Sequence, residues 1–234
     1  MGSWTTTPMP AQTAEENVRY LAGLSPIPGA HVDYLRKLKD GGFEPGVIYD
    51  IGACVLHWTR EAKRLWPDAT YVLFDAFADA EVLYRESGDA YSIGVLSDRR
   101  KVVKWYENAS LPGGNSYFRE ANDAVFPAHG YTERMTTTLD DQVSIRGFPL
   151  PDLVKIDVQG CERDVVAGGV RTLRHAEHLI VEMQHVDYNL GAPHADVTLP
   201  YIEQALGVRC VAPLFCNNGP DGDYGFTNKL LEKV

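Results

Sequence analysis

The chain has 234 residues, 44% of them hydrophobic and 23% charged, with 32 acidic against 22 basic side chains and a net charge of −10. That is globular composition, which excludes a disordered chain; four cysteines without a C-x-x-C pair exclude a disulfide scaffold, and the acidic balance argues against binding a nucleic-acid backbone. No apolar run approaches the length of a transmembrane helix and no secretory leader is visible, so a cytoplasmic protein is expected.

The predicted elements divide into an N-terminal helical extension, 1–46, and one α/β domain, 47–234. Residues 1–12 are Thr/Pro-rich and expected to be loosely attached. Ala14–Leu24 reads as a helix, with Thr13 as N-cap and Glu16 as its capping-box partner. Ser25–Gly29 breaks it, and His31–Lys39 forms a second helix stopped by Gly41 and Gly42. Strand and helix then alternate: strand Val47–Ile51, helix His57–Trp66, strand Thr70–Phe74, helix Ala78–Glu86, strand Tyr91–Leu96. Val102–Glu107 alternates as an edge strand. Residues 108–130 form a long Gly/Pro/Asn-rich loop of a length that is often functional. An extended stretch at Arg134–Leu139 precedes strand Leu153–Asp157, helix Glu162–Leu173, strand His178–Glu182 and helix Leu199–Leu206. Two last strands, Val208–Leu214 and Tyr224–Leu231, flank an Asn/Gly/Pro turn. The order predicts a Rossmann-like sandwich: a mostly parallel seven-stranded sheet with one antiparallel strand and helices on both faces.

Two segments carry chemistry. Val47–Cys54 and Asp152–Glu162 are each an apolar run ending in a carboxylate and then a glycine. Ligands of open α/β sheets bind outside such C-terminal strand ends. Gly52 after Asp50 admits close backbone approach, but Cys54 and His57 stand where a G-x-G-x-x-G fingerprint needs glycines, which disfavours a nicotinamide or flavin. Asp75, followed by Ala76, closes the second strand, where a carboxylate can hold a ribose. Ser97 and Asp98 follow the third. Asp157 ends the fourth, and Glu162 sits where an acid favours the helix dipole. Glu182 and His185 follow the fifth. Asp157, Glu182 and His185 are the candidate catalytic residues and can converge, either on a divalent ion or with Asp157 or His185 deprotonating an acceptor hydroxyl; an obligate ion is not expected. The segments Leu111–Phe118 and Asp187–His194 mix aromatic and hydrogen-bonding groups and are candidate substrate walls.

Asp50-Ile-Gly-Ala, Asp75, Thr138-Leu-Asp-Asp141, Lys155-Ile-Asp-Val-Gln-Gly-Cys-Glu162, Gly168-Gly169 and Ile180-Val-Glu182 occur in the order seen in FkbM-type methyltransferases, which this chain resembles over about residues 47–185. The resemblance implies the class I fold and S-adenosylmethionine (SAM) as cofactor. It implies Asp50, Gly52, Ala53 and Cys54 at the methionine end, Asp75 and Ala76 at the ribose, Ser97 and Asp98 beside the adenine, and Asp157 in the cleft. The family commonly has Asn and Gly where this chain has Cys54 and Leu56, side chains expected to narrow the cleft. The implied reaction is O-methylation, with a sugar or glycan hydroxyl as first acceptor. Alternatives are O- or N-methylation of another small metabolite, or a binding module without activity. No nucleic-acid partner is expected, and the oligomeric state is left open.

Overall fold

The computed structural model describes residues 13–24 and 27–228. The Thr/Pro-rich start, Ser25 and Pro26, and the end of the last predicted strand lie outside the described residues.

Helix α1 (Ala14–Ala22) starts on the expected capping box: the Thr13 hydroxyl accepts from Glu16 N–H while Glu16 accepts from Thr13 N–H. Helix α2 is Gly29–Asp40. The strands of the main sheet are β1 (Val47–Ile51), β2 (Thr70–Asp75), β3 (Ala90–Ile93), β7 (Leu153–Ile156), β8 (His178–Gln184), β9 (Val208–Asn217) and β10 (Asp221–Asn228). Among the described residues they form a seven-stranded sheet ordered β3-β2-β1-β7-β8-β10-β9. The first five are parallel, and β10 runs antiparallel to both neighbours. The order reverses between β1 and β7, and a crevice opens at such a switch point.

Strand alternation assigns the two faces. Tyr49 and Ile51 of β1 join Val154, Ile156, Leu179 and Val181 in a core covered by α5 (Leu139–Arg146), α6 (Glu162–Gly168), α7 (Val170–Leu173) and α8 (Ala195–Leu206). Ile48, Leu153 and Ile180 face the other way, against Tyr34 and Leu35 of α2 and Trp58 and Ala62 of α3 (His57–Leu65). Helix α1 packs beside Val55, Leu56 and Phe77 and against α4 (Glu81–Ser87).

Three predicted elements are divided, the helix expected at Ala78–Glu86 beginning as a 3-10 turn, Ala78–Ala80, before α4. The strand expected at Tyr91–Leu96 leaves the main sheet at Gly94, whose N–H donates to Asp75 O at 2.8 Å. Its remainder, β4 (Val95–Leu96), joins β5 (Val102–Tyr106) and β6 (Tyr131–Thr137) in a small sheet ordered β4-β6-β5. The helix expected at Glu162–Leu173 breaks at Gly168–Gly169. The chains approach so closely there that a Cβ on Gly168 would lie 2.1 Å from the Ser97 carbonyl oxygen.

Candidate active site

The crevice at the β1/β7 switch point is held by Gly52. Its φ is +89°, a Cβ there would lie 1.7 Å from the Asp157 carbonyl oxygen, and its N–H donates to Phe74 O at 2.8 Å. One glycine thus joins the ends of β1, β2 and β7, which no side-chain-bearing residue can do. The turn continues through Cys54 (φ 45°) and Leu56 (φ 69°), both left-handed. Asn and Gly adopt that conformation most readily, which accounts for their use in the family pattern. Only one of the two side chains narrows the cleft, a correction to the expectation above. Cys54 lines it, whereas Leu56 turns into the apolar cluster with Val18 and Leu21 of α1.

The cleft encloses about 680 Å³, counting its open mouth, and is lined by Gly52, Cys54, Asp75, Ala76 and Asp157 among the expected residues. Asp75 accepts from Cys54 N–H at 2.6 Å and Phe77 N–H at 2.7 Å. Burial pushes its carboxyl up to about 6 against the pull of these two donors.

Asp157 is tuned the other way. Burial favours its neutral form, but the Lys155 ammonium 2.7 Å away, the facing Glu182 carboxyl and the Gln159 amide outweigh it and hold the carboxyl well below the usual range. Lys155 itself is buried. Burial opposes its charge, yet Asp157 and then Asp50 raise its pKa. Asp50 does not line the cleft. It points to the α3 side, accepts from the Thr59 hydroxyl at 2.5 Å, and is raised by burial. Ala53 is likewise buried behind the wall, in the α1 cluster. Glu162 accepts from Val158 N–H at 3.0 Å and Gly160 N–H at 3.1 Å, which fixes the loop carrying Asp157 and Gln159. Burial pushes its carboxyl up to about 7.

Glu182 joins Asp157 and His185 does not. The Gln159 amide bridges the two carboxylates, donating to Asp157 at 3.1 Å and Glu182 at 2.8 Å. Burial, then the Asp157 charge, raise Glu182 far above the usual carboxylate range, so it carries a proton where Asp157 does not. Residue 185 stands an odd number of positions after 182, and alternation turns it to the opposite sheet face. Its ring meets Tyr224, with Nδ1 3.5 Å from the phenol oxygen. The expected convergence of Asp157, Glu182 and His185 is corrected on this ground.

Ser97 and Asp98 also lie apart from the cleft lining. The Ser97 hydroxyl is buried 3.2 Å from the Tyr117 hydroxyl, and Asp98 pairs with Arg99 at 2.6 Å and Lys101 at 2.8 Å beside a second, shallower depression. The wall at this end of the cleft is Val95, Leu96, Trp105, Asn115 and Tyr117 instead. Asn115 and Tyr117 belong to the Leu111–Phe118 segment singled out above, while Trp105 sits in the strand read only as an edge. Lys155 escaped notice as a site residue, although a lysine inside an otherwise apolar strand was its signal.

No curated protein matches the sequence. Among solved structures the chain is similar to a precorrin-6y C5,15-methyltransferase from Geobacter metallireducens, at 14% identity over 84% of this chain and 84% of that one, with a TM-score of 0.46. It is similar also to the O-methyltransferase TomG from Streptomyces achromogenes, at 14% identity over 92% of this chain and 87% of that one, with a TM-score of 0.45. The Methyltransferase FkbM domain matches residues 50–209, about two thirds of the sequence and the C-terminal ends of β1, β2, β7 and β8. The chain belongs to the FkbM methyltransferase family, and SAM is the methyl donor that this membership implies.

Proposed function

We propose that the protein transfers the methyl group of SAM to a hydroxyl of a sugar or glycan. The observation that carries this reading is the meeting of Asp75 and Asp157 across Gly52 in one cleft. The lining fits the cofactor. Asp75 offers carboxylate oxygens to a ribose, and Trp105, Leu96 and Tyr117 offer flat and apolar surface. The Asn115 Nδ2 is a buried donor with no partner among the described residues. Such a donor is costly to bury unless a ligand accepts from it.

When bound, SAM supplies an electrophilic methyl group. The chain's own residues orient the acceptor and exclude water. Asp157, held ionised by Lys155, aligns the acceptor hydroxyl and takes its proton as the bond from methyl to that oxygen forms and the bond from methyl to the sulfonium sulfur breaks. An oxygen gaining a methyl group is acidic enough to give its proton to a weak base, which passes it to solvent. The cation beside it is Lys155, and no step requires a divalent ion: activity assayed in EDTA is expected to persist. A fall to background that magnesium or manganese restores would reverse this.

Support for a carbohydrate comes from the two aromatic and hydrogen-bonding segments, 111–118 and 187–194. They meet through Asn189 Nδ2, which donates to Phe118 O at 2.9 Å. The test is mass spectrometry of glycan and metabolite pools treated with the enzyme and labelled SAM. A labelled methyl on a carbohydrate oxygen is expected. Label on nitrogen, or on a non-carbohydrate metabolite alone, would replace the acceptor assignment; no binding of SAM in calorimetry would make the chain a module without activity.

A further inference from the structure

Behind Glu182, outside the cleft lining, lies a second group of buried side chains that methyl transfer does not use. Asp223 of β10 and Cys216 of β9 are cross-strand partners. His31, in the first turn of α2, reaches them from the sheet face, with Nε2 2.8 Å from Asp223 Oδ2. All three are buried, at 5%, 4% and 1% exposure for His31, Cys216 and Asp223. One donor atom from each lies within 4.8 Å of the other two.

We propose that His31, Cys216 and Asp223 form a zinc site that clips helix α2 to the β9–β10 hairpin. The donor set decides the metal. One thiolate, one imidazole and one carboxylate suit zinc, whereas magnesium and calcium take oxygen ligands. Tetrahedral zinc holds its donor atoms roughly 3.4–3.7 Å apart. The spacing above needs only side-chain adjustment to reach that. Asp223 Oδ1 is buried without a hydrogen-bond partner among the described residues. Buried polar atoms are nearly always satisfied, so such an oxygen beside a buried imidazole and thiol points to a ligand.

Charge agrees. A zinc ion with one thiolate and one carboxylate is neutral overall, as a buried site should be. Binding breaks the Cys216 S–H bond and releases its proton to solvent, with no change of oxidation state. Asn218 supplies the surrounding support. Its Oδ1 is 3.2 Å from Cys216 Sγ, and its Nδ2 is 3.1 Å from Asp223 Oδ2. Hydrogen bonds of this kind orient metal ligands. Once the thiol proton leaves, Asn218 Oδ1 is free to become a fourth ligand. The same Nδ2 donates to Glu182 Oε1 at 3.1 Å, so the site would stiffen the network that reaches Asp157 through Gln159.

The test is metal content of the full chain. Protein loaded with zinc and passed through a desalting column should retain one zinc per chain by mass spectrometry. Cys216→Ser and His31→Gln should retain less than about a fifth of that, and Cys54→Ser should retain all of it. Cobalt loading should give a thiolate-to-cobalt charge-transfer band that Cys216→Ser abolishes. If Cys216→Ser fails to fold, His31→Gln and the cobalt band of the unaltered protein carry the test. Wild-type protein that retains no stoichiometric zinc, or zinc kept equally by His31→Gln and Cys216→Ser, would overturn the proposal. Methyl transfer itself is tested separately by the labelled-SAM experiment.

Discussion

Asp75 and Asp157 both stand at the ends of parallel strands, both line one cleft, and Gly52 lies between them. Their carboxyl pKa values nevertheless shift in opposite directions. Asp75 has only backbone N–H donors, chiefly those of Phe77 and Cys54, to offset its burial and rises to about 6, while Asp157 has a buried lysine at 2.7 Å and falls. Position in the fold therefore places a carboxylate in a ligand site, and its neighbours decide what it does there. A group that titrates near neutrality responds to a ligand. A group held ionised is a fixed acceptor.

The largest effect should come from removing the source of the difference. Lys155→Met leaves the half-buried Asp157 and the buried Asp50 without their shared cation. Deleting one partner of a buried pair costs about 3–5 kcal/mol. Urea denaturation at pH 7 should show a loss of that order. The loss should shrink as pH falls, because Asp157 without Lys155 takes up a proton in the folded state and that uptake favours folding at lower pH. A loss under about 1 kcal/mol at pH 7 would show that Lys155 does not set the charge of Asp157.

Much of this contrast was legible in the sequence, and the missing part has a physical cause. Apolar runs ending in Asp50, Asp75 and Asp157 mark strand ends, and the alternation of strands with helices marks the sheet. The partners that tune those carboxylates are set by tertiary packing. Lys155 shows only as an odd residue in an apolar strand. His185 was misplaced because β8 continues to Gln184, so strand parity carries through the site. Gly94 was read as part of one strand, yet there the chain passes to a second sheet and carries Ser97 and Asp98 away from the cleft. Asn115 and Tyr117 come from a loop whose course no periodicity encodes. His31 reaches Asp223 only because α2 docks on the sheet, where Tyr34 stacks on Phe215 at 4.2 Å.

Next in size is the loss of the fixed acceptor. Asp157→Asn keeps the shape but removes the negative charge proposed to align the acceptor hydroxyl and take its proton. Turnover should fall about 100-fold, a change of about 2.7 kcal/mol in the barrier. SAM affinity should stay within about threefold. Turnover within about threefold of wild type, with the true acceptor, would remove Asp157 from the reaction.

Asp75→Ala tests the other side. Charge-assisted hydrogen bonds contribute about 1.5–3 kcal/mol, so SAM affinity should fall about tenfold or more in calorimetry. Turnover at saturating SAM should change little, since Asp75 would hold the cofactor equally in ground and transition states. Unchanged affinity in a folded Asp75→Ala protein would sink the ribose assignment.

The smallest effect separates the two carboxylates without removing either. Ribose hydroxyls donate hydrogen bonds, so binding favours the ionised form of Asp75, whose carboxyl stands at about 6. Above pH 7 the group is mostly ionised and SAM affinity should be flat. At one unit below its pKa, only about one tenth is ionised, so affinity should drop up to tenfold between pH 8 and pH 5. Asp157 stays ionised throughout that interval and adds no slope. Glu162 and Asp221, both pushed up to about 7 by burial, titrate in the same interval, so wild type alone does not assign the slope. Asp75→Asn decides it. That variant should bind SAM more weakly at pH 8 and show no further loss at pH 5. If the slope survives in Asp75→Asn, the titrating group is elsewhere, and the contrast between the two strand-end carboxylates does not govern cofactor binding.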